Sequence, residues 1–287
     1  MKIIEQSATI WGECPTKKEE SVLWIENAGR VCYRSEDKIV EGSGIKFVGN
    51  IWKRKHFSVI EQSNLVIRTR EKSTFPASSM VTQKSIFNSK YLTLCIHQDR
   101  IYIGGNWRAW IEFCNEGTHG NADEMTLDNI TDFLNTKDYE VVYDQEAIPL
   151  PLKAITVELT TDRATTHELV RHRPASYSQE SQRYVRYDSV QFIKPFWYDK
   201  SNRGTQQTFL DACLDAEESY RHLIDRGMKA EEARAVLPNA TATKIVMTAN
   251  IPEWEHVFNL RLSKMAYSQI RNLLMPVKDD MIEKGWL

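Results

Sequence analysis

The tightest constraint on the fold lies between residues 152 and 174. LKAITVELTT (152–161) is a strand pattern, and Asp162 follows it as the cap of a helix, DRATTHELVRHR. Pro174 should end that helix, because proline disfavours helical geometry at the residue before it. The segment RHRPASYSQESQRYVRY (171–187) is therefore expected to begin at a helix C-terminus and run on as a loop.

Periodicity places further helices near 20–33, 45–55 and 106–113. SNLVIRT (63–69), YLTLCIH (91–97) and RIYIGG (100–105) read as strands, the last two forming a hairpin. A loop with Gly117, Gly120 and Asn121 is expected after 113, to about residue 124. Residues 205–226 predict a long amphipathic helix closed by Gly227, and KAEEARAVL (229–237) a short one ended by Pro238. A last long helix is expected from near Pro252 towards Leu274. Strand and helix signals mix without βαβ alternation, so the fold class is α+β, or irregular α/β. No repeat or linker divides the chain, which predicts one domain over 1–287, a mixed sheet flanked by helices with a long C-terminal helix, and few landmarks between 70 and 150.

With 41% hydrophobic residues, 287 residues can bury a substantial core. A net charge of −2 gives no support to general polyanion or nucleic-acid binding, so a basic site has to be local. The start MKIIEQSATIWGECPTKK lacks the apolar core of a secretory signal, and no apolar run is long enough to span a bilayer; a cytoplasmic location without membrane contact is expected. Cys14, Cys32, Cys95, Cys114 and Cys213 are widely spaced and suggest buried free thiols; none sits in a setting that advertises an activated nucleophile.

Local positive charge does occur. Arg163 to Arg186 holds five arginines and two histidines, with Asp162, Glu168 and Glu180 as the nearby acids. Guanidinium forks suit an anionic ligand such as a nucleotide, and helical spacing would put Glu168, Arg171 and His172 within about 100° of one another. The alternative is a solvated helix end, where such cations are favoured by the macrodipole. The run Ser176, Tyr177, Ser178, Gln179, Ser181 and Gln182 favours a ligand, since such groups can read the edge of a base. A metal is not expected: His167-Glu168 opens a zincin-like pattern, but position 171 is Arg, and His172 points away from His167. EGSGIKFVGN (41–50) is not a dinucleotide fingerprint, and no P-loop exists.

The spacing Arg171-His172-Arg173, seven residues, then Ser181 resembles the signature of the flavin-dependent thymidylate synthases, and SYSQESQRYV is typical of many members. HFSVIEQ (56–62) looks like that family's upstream flavin element in His56, Ser58 and Glu61, with Gln62 where a second His is usual. ARAVLP (233–238) resembles its Arg-x-x-Leu-Pro element and FNLR (258–261) its C-terminal helix motif. One departure stands out: Asn250 is kept, but Pro252 occupies the place of an arginine. NWRAWIEF repeats the Asn-x-Arg pattern, so Asn106 and Arg108 are candidates for the lost contact; alternatively Trp107 and Trp110 mark this segment as core.

The resemblance implies conversion of dUMP to dTMP, with methylenetetrahydrofolate as carbon donor, FAD as hydride carrier reduced by NADPH, and no enzyme nucleophile. It implies a homotetramer with sites between subunits. Carried over by position, Glu168, Arg171, Gln179, Glu180, Ser181, Gln182, Arg183, Arg234 and Arg261 would bind dUMP, with Arg261 acting on the uracil ring and Ser181 near the reacting ring. Ser58, Glu61, Arg171, His172, Arg173, Gln179, Asn250 and His256 would bind FAD. Packing roles for His56 and His256, and a salt bridge for Arg261, are the plain alternatives. At the level of function, the alternatives are a sister enzyme leaving a hydroxymethyl group on the pyrimidine, and a non-catalytic nucleotide- or RNA-binding module.

Overall fold

The computed structural model describes residues 1–72, 91–117 and 129–287. In chain order the strands are β1 (Lys2–Ile4), β2 (Ser7–Glu13), β3 (Asn64–Thr69), β4 (Leu92–His97), β5 (Arg100–Asn106), β6 (Tyr139–Val141), β7 (Ala154–Asp162), β8 (Ser176–Gln179), β9 (Gln191–Ile193) and β10 (Ala242–Asn250). The principal helices are α1 (Lys18–Val31), α2 (Ser43–Lys53), α3 (Trp107–Gly117), α4 (Arg163–Leu169), α5 (Arg203–Asp225), α6 (Ile251–Arg261) and α7 (Ser268–Glu283). The fold is α+β, as expected. Two four-stranded antiparallel sheets run β2-β7-β10-β8 and β4-β5-β3-β6, and β1 pairs β9 in parallel.

The hairpin between β4 and β5 forms as expected, with Gln98 and Asp99 both at positive φ in its turn. That sheet packs Leu65, Ile67 and Ile103 against Ile25 of α1, Ile51 of α2, and Trp107 and Trp110 of α3. Both indoles are buried and hydrogen-bonded, Trp107 to the Ser63 hydroxyl (3.0 Å) and Trp110 to the Leu65 carbonyl (2.9 Å), so α3 is indeed a core helix. The loop expected to about residue 124 falls largely on 118–128, outside the described residues.

The other sheet builds a second core. Ile155, Val157 and Leu159 of β7 and Ile245 and Met247 of β10 pack under Trp254 and Phe258 of α6 and Ile270 and Leu274 of α7. On the opposite face, Val246 meets Ala28 and Val31 of α1. β10 is thus covered on both sides, and the period-two alternation that announces a half-buried strand is missing from its sequence. The sequence reading passed over it for that reason.

Three expectations are corrected. The helix capped by Asp162 ends at Leu169 rather than at Pro174, so Arg171 and His172 lie beyond it and share no helical face with Glu168. Its last carbonyl accepts the His172 N–H (3.0 Å) in a closing turn and also the Tyr177 hydroxyl from β8 (2.6 Å). SYSQ is not loop: Ser176–Gln179 is an edge strand, registered on β10 as Tyr177 opposite Met247 and Gln179 opposite Ile245. The last long helix is two, α6 and α7, separated by Leu262–Tyr267. In one continuous helix Phe258 and Ile270 would stand about 120° apart; the break brings both apolar stripes onto one sheet. Among the described residues, no helix is long and apolar enough to cross a membrane.

Candidate functional site

Arg261 ends α6 and is the hub of one cluster. Its Nη1 donates to Glu168 Oε2 (2.7 Å), Nη2 to the Glu168 carbonyl (2.7 Å), and Nε to His172 Nε2 (3.0 Å). All three partners come from the end of α4 and the turn after it. Asn250 starts the same helix by accepting the Glu253 backbone N–H on Oδ1 (3.0 Å). Pro252 is tolerated in this first turn, where its missing N–H would have been unsatisfied anyway.

His172 is 5% exposed, and its pKa is pushed down to about 4 by burial, then by the charges of Arg261 and His256. At neutral pH the ring is therefore neutral. Because Arg261 donates to Nε2, the ring hydrogen belongs on Nδ1, which stands 3.4 Å from Glu253 Oε1. His256 packs edge-on at 5.6 Å between centroids. Donor atoms of His172, Glu253 and His256 lie within 4.8 Å of one another, as a metal site would require, but an Nδ1 that carries hydrogen offers an ion no lone pair.

A second cluster surrounds the strand β8 and the turn after it. Gln179 Nε2 donates to Thr166 Oγ1 (3.0 Å) and Thr243 Oγ1 (3.3 Å). Glu180 is buried and already paired, taking Arg34 Nε (2.7 Å) on one oxygen and the Tyr187 hydroxyl (2.5 Å) on the other. Ser181 is tied to α1 through its N–H to the Cys32 carbonyl (3.0 Å), and its hydroxyl accepts the Arg183 N–H (3.3 Å). Arg183 and Arg234, both exposed, meet at Glu231, at 3.9 Å from its carboxylate and 3.1 Å from its carbonyl respectively. Arg163, counted in the cationic stretch of the sequence but given no ligand role there, joins this cluster. It donates to the Glu180 carbonyl (3.1 Å), its Nε is buried without a partner, and Arg234 bears on it electrostatically.

The third feature is a cleft of about 50 Å³ between the two sheets, lined by Glu61, Gly105, Asn106, Pro174, Ser176 and Asn250. Arg108 reaches it through Glu61, at 2.7 Å, while Asn106 caps α3 by accepting the Ala109 N–H (2.8 Å). Asn250 Nδ2 lies 3.4 Å from Thr93 Oγ1. Gln62, in the place of the usual histidine, is wholly buried. With its amide oxygen facing β8 it accepts the N–H groups of Tyr177 (3.1 Å) and Ser178 (3.0 Å) and donates to Thr248 Oγ1 (2.8 Å).

The structure thus brings together Glu168, His172, His256 and Arg261; Gln179 to Arg183 with Arg234; and Glu61 with Asn106 and Asn250. Ser58, Arg171 and Arg173 are exposed, as is His56. Glu253 and Arg34 carry no signal in the sequence that singles them out; Arg163 was within the arginine-rich stretch but was not assigned to a site. No thiol is activated. Burial raises all five, Cys14 and Cys114 to about 12 and Cys32 and Cys213 to about 11, with Cys95 also raised.

Residues 140–283 match the family model described as "Thymidylate synthase complementing protein". A flavin-dependent thymidylate synthase of Geobacter sulfurreducens is 37% identical over 168 residues, covering 56% of this chain and 68% of its own length. One of Clostridium tetani is 34% identical over 176 residues, with 55% and 68% covered. One of Pyrococcus abyssi is 34% identical over 184 residues, with 62% and 73% covered. The matched span carries the Arg261 hub, the signature strand and the strand β10 between them, and this chain belongs to the flavin-dependent thymidylate synthases, an enzyme family.

Proposed function

We propose that this chain methylates dUMP to dTMP reductively, taking the carbon from methylenetetrahydrofolate and the hydride from FAD reduced by NADPH. The observation that carries the reading is Arg261, a cation pre-aimed by three hydrogen bonds on one side. A guanidinium stays protonated at any working pH, so it can stabilise charge developing at N3 and the adjoining oxygen of uracil. The five raised thiols support a route without an enzyme nucleophile.

The flavin fits the cleft by the chemistry of its donors. Glu61, Asn106, Ser176 and Asn250 offer the mix of donors and acceptors that the edge of a flavin ring needs. The cleft is open to solvent, and in the homotetramer that the family resemblance implies other copies would cover the rest of the cofactor. Exposed Arg171, Arg173 and Ser58, with Gln179 and His256, would hold the rest of FAD, while His172, buried with Arg261 on its Nε2, would serve the site through Arg261; Arg108, bound to Glu61, stands where a cation could replace the one absent at Pro252. When bound, the flavin supplies the hydride.

The chain's own residues position the nucleotide. Arg183 and Arg234 would take its phosphate, and Arg171, Gln179, Ser181 and Gln182 its sugar and base. Glu168 would act through Arg261, and Glu180 by fixing the turn that carries Ser181 near the reacting ring. The whole chain would act as one domain in the cytoplasm. Incubating the purified protein with dUMP, methylenetetrahydrofolate, NADPH and FAD should yield dTMP. A hydroxymethyl nucleotide as the main product would refute the methylation reading.

A further inference from the structure

Glu253 sits in the first turn of α6 and is buried, yet no role above uses its side chain. Its Oε1 has no hydrogen-bond partner, and a buried carboxylate oxygen is costly to leave so. That oxygen lies 3.4 Å from the one ring nitrogen of His172 that Arg261 does not occupy, Nδ1, within reach of a hydrogen bond that a small side-chain adjustment would complete. The ring has two neutral tautomers. With hydrogen on Nδ1, Nε2 is bare and accepts the Arg261 Nε–H; with hydrogen on Nε2, two N–H donors would confront each other 3.0 Å apart and drive the guanidinium off its line.

We propose that Glu253 is a positioning residue: its carboxyl oxygen accepts a hydrogen bond from the His172 Nδ1–H, fixes the tautomer whose Nε2 receives Arg261, and so holds the guanidinium in its aim. The proposal rests on the assignment of Arg261 to the pyrimidine. The charged and titratable groups described around it fit. Glu168 at the end of α4 balances Arg261, and His256 from α6 lies edge-on to His172. Tyr177 from β8 turns its hydroxyl to backbone carbonyls, at 2.6 Å from Leu169, and leaves Glu253 Oε1 to the imidazole. Burial also raises the Glu253 carboxyl above its ordinary range, and in either protonation state a carboxyl retains an acceptor oxygen.

The test uses the full chain with nitrogen-labelled histidine, as wild type, E253Q and E253L, with the His172 ring signals identified by their loss in H172N. NMR should show His172 carrying its hydrogen on Nδ1 in the wild type and in E253Q, whose amide oxygen still accepts, and a shift towards the other tautomer in E253L. In the flavin-loaded enzyme, E253L should lower kcat on the order of tenfold to a hundredfold with KM for dUMP and flavin uptake unchanged, and E253Q should keep the wild-type value. An unchanged tautomer in E253L, or wild-type kcat in it, would overturn the proposal. If E253L fails to fold, loss of the Nδ1 hydrogen in E253Q overturns it equally. The tautomer is read without turnover, so a failure of the reading of Arg261 would show separately, as normal activity in R261A.

Discussion

Arg261 Nε donates to His172 Nε2 at 3.0 Å, joining the last residue of α6 to the second residue of the signature across 89 positions of chain. Two stretches that look independent in the sequence thus form one device. A neutral imidazole and a charge-balancing carboxylate hold one guanidinium in place.

Removing that cation should abolish most turnover. R261A should lower kcat by about 10²- to 10³-fold while flavin uptake, read from the absorbance of the purified protein, is kept. R261K should not restore it, because an ammonium cannot hold Glu168 and His172 together in one plane.

The ring of His172 should stay neutral well below its ordinary range. Its folded pKa is about 4 against about 6.5 unfolded, so its contribution to stability is fully present above pH 6.5 and is lost as pH falls from 6.5 through 4. The full loss is on the order of 3 kcal/mol. Glu253, raised by burial, acts in the opposite sense, since its contribution is lost as pH rises through its folded pKa. NMR titration of His172 checks this; a midpoint near 6.5 would be inconsistent with its burial.

The two exposed arginines should affect binding and not chemistry. R234A is expected to raise KM for dUMP about tenfold to a hundredfold, the value of a hydrogen bond to a charged group, with flavin uptake unchanged. R183A should behave alike. Steady-state kinetics at varied dUMP decide it.

How much of this was legible follows the range of the forces involved. The Asp162 cap was readable because it is local: Oδ1 accepts the Thr165 N–H three residues on, at 2.6 Å. The end of that helix was not, because its closing turn, with the Leu169 carbonyl accepting both the His172 N–H (3.0 Å) and the hydroxyl of Tyr177 from β8 (2.6 Å), involves a distant strand. The signature was found as a string, yet its character as a strand depends on β10, which is covered on both faces and so shows no alternation. Glu253 was out of reach for a like reason. An acidic residue in the first turn of a helix is explained by the macrodipole, until His172 is found facing it.

Gln62 supplies a test of stability away from catalysis. Q62L should strand the N–H groups of Tyr177 and Ser178, while the Thr248 hydroxyl keeps Thr156 Oγ1 at 2.7 Å, at a cost of about 2–4 kcal/mol. The midpoint of urea unfolding should fall with an unchanged slope. An unshifted midpoint would mean that this amide does not tie the signature strand to β10.

The most direct measurement is a turnover assay on the purified chain with dUMP, methylenetetrahydrofolate and NADPH, with and without added FAD. The account predicts dTMP that depends on bound flavin. A protein that takes up FAD and oxidises NADPH yet forms no dTMP would contradict it.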